Sequence, residues 1–194
     1  MPRDDRQSQS GAQSGPQLLA HDPAIPADDF APAIWVPLSR LIASRRRLRT
    51  MARQLPADAW DAPSACPGWH RRDVFAHVVS WDAQHLRSLD AVLQGDPLPV
   101  EGWLPDPDQP QLDADAWNEQ QVQAQQDLSL VELAAHSEAN LTAILERLAQ
   151  IGPDQLLQPY GFAPHVIGAI ESHLRHVNAH ADDIVNGPAT MRSG

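Results

Sequence analysis

"IGAIESHLRHVNAHADDI", residues 167–184, decides the fold. Ile167, Ile170, Leu174, Val177, Ala181 and Ile184 follow one another in steps of three and four, which lays them along one stripe of an α-helix. The pattern predicts a helix from near Pro164 to about Val185, stopped by Gly187 and Pro188. On the wheel His173, His176 and His180 share one flank of that stripe, within about a sixth of a turn of each other. They face a groove where a neighbouring helix would pass.

Upstream the same periodicity recurs. Ile34, Leu38, Leu41, Ile42, Leu48, Met51 and Leu55 predict a first helix, with Pro37 in its first turn. A second helix spans about His70 to Gln94, with Gly95 as its stop, and places Val74, His77, Val78, Trp81 and Leu89 on one face. After a proline-rich connection, Gly95 to Asp113, helical character resumes at Asp113 and is re-initiated by Ser129 and Glu132, which have the spacing of a capping box. Leu133, Leu141, Ile144, Leu145 and Leu148 give that helix its buried side, ending at Gly152-Pro153. No run of strict two-residue alternation competes. The expectation is an all-α four-helix bundle with a long loop between helices two and three, packed over one end.

Composition bounds the rest. At 194 residues and 42% hydrophobic, one domain is expected over residues 33–188, with a disordered N-terminal tail at 1–32 and a short C-terminal tail at 189–194. A net charge of −11 argues against nucleic-acid partners, and no apolar run suits a membrane span or a secretion signal. All fourteen basic residues are arginine, and four of them cluster in "SRRRLR", residues 44–49, which reads as a solvated helix face. A single cysteine, Cys66, fits a reducing cytoplasm and excludes a cysteine-only metal cage. With proline after it and no base expected nearby, Cys66 is not assigned a nucleophilic role.

The histidines carry the chemistry. His176 and His180 stand at i and i+4, roughly 5–6 Å apart at Cβ, a spacing at which two imidazoles chelate one ion. His173 and His176 offer the same at i, i+3, less generously. His77, mid-helix on a core face, is the available third ligand. Taken alone, the pair also reads as a polar flank and His77 as a satisfied core histidine, so the pattern leaves both readings open.

"CPGWHRRDVFAHVVSWD", residues 66–82, and His176 to Ile184 resemble the two motifs of the DinB/YfiT-like superfamily, which includes the N-terminal domain of mycothiol-dependent maleylpyruvate isomerase. The resemblance covers about residues 33–186 and implies a four-helix bundle. It also implies a divalent ion, zinc or nickel, held by His77, His176 and His180. His70 replaces the usual Ser or Thr cap, Arg71 and Arg72 oppose the helix dipole, and relatives of the mycothiol type carry Glu where His176 stands. Three ligands with an open position suit catalysis more than structure.

The resemblance therefore implies a metal-dependent enzyme acting on small molecules. Such an enzyme would be a low-molecular-weight-thiol S-transferase, with bacillithiol, mycothiol or glutathione as co-substrate, or a detoxifying hydrolase. A homodimer is compatible with it. The metal-bound water or thiolate would be the reacting group. His173, Asp183, Trp81 and Asn118 are candidates for the pocket or its outer shell, with Asp182 and Trp69 beside them. Two rivals stand against this reading: a non-catalytic bundle that senses or stores a ligand, and a metal-free network of His77, His173 and His180.

Overall fold

A computed structural model of the chain describes residues 27–98 and 114–187. Within them run α1 (Pro32–Gln54), α2 (Arg71–Gln94), α3 (Ala114–Gln123), α4 (Leu130–Leu148) and α5 (Val166–Asn186), with no strand among the described residues. α1 packs on α5, while α2 packs on α4 and α5 and carries the short α3 on a further side. The four long helices are the bundle expected from sequence. The third helical region divides in two, because Ser129 accepts the Glu132 N–H and Glu132 accepts the Ser129 N–H, starting α4 afresh.

α2 is the central element. Val74, Phe75, Ala76, His77, Val78, Val79 and Ser80 are consecutive and all buried, so the helix is covered on several sides and not along one stripe. Gly95 ends it in the left-handed region at φ 77°, where its N–H returns to the Ala91 and Val92 carbonyls. At the other end His70 offers no side-chain cap. Asp73 compensates by accepting the His70 backbone N–H at 2.8 Å. Arg72 donates to the Gln125, Gln126 and Leu128 carbonyls, so a cation that opposes its own helix dipole instead neutralises the turn after α3.

Three expectations shift. α1 begins at Pro32, which leaves Pro37 inside the helix, where it forfeits one backbone hydrogen bond. Ala27–Asp29 form a 3-10 turn and Phe30 is buried against Trp35, so packed chain reaches back into the expected tail. Residues 1–26 and 188–194, like most of the long connection at 99–113, lie outside the described residues. The described start of that connection is anchored: Leu98 O accepts the Gly161 N–H at 3.0 Å.

The third shift is Arg45. Expected on a solvated face, it is 4% exposed, and its fork meets both oxygens of the fully buried Asp82 at 3.2 and 2.6 Å. The same guanidinium donates to Ser137 O and Oγ at 3.0 and 2.8 Å, tying α1, α2 and α4 together. Around it the apolar core is fully closed at Ile34, Leu38, Val74, Val78, Leu133, Val177 and Ile184. Each such side chain contributes roughly 1.5–3 kcal/mol by burial.

Candidate metal centre

α5 meets α2 along the stripe that opened the sequence, and the meeting splits its histidines. His173 lies on the seam itself, 2% exposed, instead of on the flank. It stacks on His85 with ring centroids 3.8 Å apart, and its Nε2 stands 3.0 Å from Asp82 Oδ1. Tyr160 completes this sealed cluster by donating to the His85 carbonyl at 3.0 Å. Because His173 goes to Asp82, the metal-free network of His77, His173 and His180 does not form.

One turn further along α5, His176 and His180 turn toward His77 of α2. His77 Nε2 and His176 Nε2 are 2.9 Å apart, and the His180 ring lies 4.8 Å from His77 and 4.5 Å from His176. One ring nitrogen from each falls within 4.8 Å of the others, near the span of ligands around one ion. His180 is braced at Nδ1 by Asp183 Oδ2, 3.0 Å away, the outer-shell arrangement that orients a metal-ligating imidazole. His77 has no such brace, and its Nδ1 is buried without a hydrogen-bond partner.

Electrostatics favours lone pairs over charge here. Burial, reinforced by His180, pushes His77 down to about 3, and burial with His180 and His77 pushes His176 down to about 2. Burial also lowers His180, against the pull of Asp183. All three rings are therefore neutral at physiological pH, which is the state a metal requires. Neutral imidazole nitrogens that converge within ligand distance fit a bound cation.

Aromatic residues wall the triad. Trp69 lies 5.1 Å from His77, and Trp81 lies 5.6 Å from His176. Each indole N–H is held on α3, Trp81 by Asn118 Oδ1 at 3.2 Å and Trp69 by Glu119 Oε2 at 2.8 Å. An open cleft beside the triad is lined by Cys66, Pro67, Trp69, Asp115, Asn118 and Glu119. Asp183, Trp81 and Asn118 thus lie around the three histidines. Asp182 instead faces solvent, paired with Arg47.

Cys66 is the residue that sequence reasoning undervalued. Its thiol donates to Asp183 Oδ2 at 3.2 Å and lies 3.9 Å from His180 Nδ1, so basic groups are in reach after all. Burial and Asp183 push that thiol up to about 11, which keeps it protonated. Its partners lie more than a hundred residues away in the chain, and no local signal links them.

Comparison with known proteins gives one family. The family model of the mycothiol maleylpyruvate isomerase N-terminal domain matches residues 41–185, from the middle of α1 to the end of α5. No curated protein and no solved structure gives a match. Among the described residues no helix is long and apolar enough to cross a membrane. The family match spans most of the chain, both motif segments and all three converging histidines, and the chain belongs to the mycothiol maleylpyruvate isomerase N-terminal domain family, within the DinB/YfiT-like superfamily.

Proposed function

We propose that His77, His176 and His180 hold a divalent ion, zinc or nickel, and that the site transfers a low-molecular-weight thiol to a small electrophile in the cytoplasm. The observation that carries this is the convergence of three neutral imidazoles beside an open cleft. Family membership favours a thiol of the mycothiol class over plain hydrolysis. When bound, such an ion supplies a Lewis acid that lowers the pKa of a thiol brought to it.

The chain's own residues do the rest. Asp183 holds the proton at His180 Nδ1 and fixes the ring, so that Nε2 offers its lone pair. Trp69 and Trp81 screen the site from water on the α3 side, and their anchors Glu119 and Asn118 keep both indoles in place. The cleft between Trp69 and α3 admits the electrophile.

Two measurements test the proposal. Protein purified without an affinity tag should carry bound metal by elemental analysis, and His176→Ala should carry one ion per chain fewer. Thiol consumption with a haloarene or epoxide should then be fast in wild type and lost in His77→Ala. Equal rates in the two would leave a binding module as the surviving reading.

A further inference from the structure

We infer that Cys66, His180 and Asp183 form a second divalent-ion position, suited to a thiophilic ion such as zinc and adjoining the triad through the His180 ring. The three ligand atoms stand 3.2 Å (Sγ to Oδ2), 3.0 Å (Nδ1 to Oδ2) and 3.9 Å (Sγ to Nδ1) apart. Zinc bonds of about 2.3 Å to sulfur and about 2.0–2.2 Å to nitrogen and oxygen put tetrahedral ligands roughly 3.3–3.6 Å apart. The observed spacings bracket that range. A soft thiolate, an imidazole and a carboxylate together are a zinc-type donor set.

The loop that presents the thiol is built to hold it there. Ser64 Oγ accepts the Cys66 N–H at 3.1 Å and donates to the Trp69 carbonyl at 2.8 Å. Ala65 N–H donates to the Asp183 carbonyl at 3.2 Å, which docks the loop directly on the end of α5. Cys66 therefore meets helix α5 with its backbone already committed, and little ordering remains for an ion to impose.

Proton balance distinguishes two loading states. Nδ1 of His180 faces the new position, which leaves Nε2 for the triad. With the triad empty, the His180 proton moves to Nε2, and only the Cys66 thiol proton leaves to solvent. With the triad also loaded through Nε2, the Nδ1 proton that Asp183 otherwise holds would leave too, so that loading both positions would release two protons.

The test is cobalt(II) titration of the full chain, because Cys66 is its single cysteine and any sulfur-to-cobalt charge-transfer band must come from it. Wild type should bind two ions per chain and show the near-ultraviolet band. Cys66→Ser should lose the band and one ion. His77→Ala, with His176→Gln run in parallel in case the first misfolds, should lose one ion and keep the band. A wild type that binds one ion with a band surviving His77→Ala upholds this position and defeats the triad. Absence of the band, or one ion whose band disappears in Cys66→Ser and in both histidine variants alike, overturns the inference.

Discussion

Two polar clusters sit about a turn apart on the same pair of helices, and they are built on opposite principles. In the sealed one, Asp82 answers the Arg45 cation with both oxygens, His173 and His85 stack in its shadow, and Tyr160 closes the end. In the open one, three imidazoles point at one another with no carboxylate between His77 and His176, and Asp183 braces only His180. The first cluster has its counter-charge inside the fold. The second gathers neutral rings with a carboxylate at His180 alone, and lone pairs without a committed proton are what a metal ion takes. Histidine and aspartate meet in both; burial separates them, since His173 and Asp82 are closed off while His180 and Asp183 keep some exposure.

The sharpest way to break the comparison is to unbalance the sealed cluster. Asp82→Ala strands the Arg45 cation among three helices, and the expected loss is about 3–5 kcal/mol in urea unfolding. A loss below about 1 kcal/mol would mean that water reaches Arg45 and that the cluster is not sealed.

Acid should act next, and on both clusters, because burial lowers His85 and His173 as well as the triad. Histidines in the unfolded chain protonate near 6.5, whereas His77 and His176 resist until about 3 and about 2. Below about pH 6 the unfolded chain takes up protons that the folded one refuses. Stability, full above the unfolded value, then falls by up to roughly 1.4 kcal/mol per pH unit for each histidine. Unfolding midpoints of metal-free protein between pH 7 and 4 would check this, with a shallower slope expected in His176→Ala. An unchanged slope would place the acid sensitivity elsewhere.

Smaller effects calibrate the scale. Ser129→Ala removes the cap that separates α4 from α3 and should cost about 1 kcal/mol. Arg47→Ala, two residues from Arg45, breaks only the exposed pair with Asp182 and should change stability by less than about 0.5 kcal/mol. Equal costs for Arg45→Ala and Arg47→Ala would erase the distinction between buried and surface charge in this run.

Those two arginines also mark what the sequence could convey. Periodicity placed the helices, the Ser129 cap and the Gly95 stop, because each depends on residues within a turn or two. It also put His77 on a core face, and the motif resemblance joined it to His176 and His180. It could not tell Arg45 from Arg47, since burial of the former depends on Asp82 and Ser137, whose side chains arrive from other helices. His173 failed for the same reason: one wheel position away from its neighbours, it meets a carboxylate that they do not. Cys66 lay in plain sight within the motif, but its partners come from the far end of the chain.

One last consequence concerns Arg72. The helix that carries His77 also carries Arg72, which grips the turn after α3, and Trp81, which is hydrogen-bonded to Asn118 on α3 itself. Helix and cleft wall are thus bolted together at two heights. With the Trp69 indole also held by Glu119, α2, α3 and the loop before α2 share one set of ties around the cleft, and a change at any of them reaches the triad through His77.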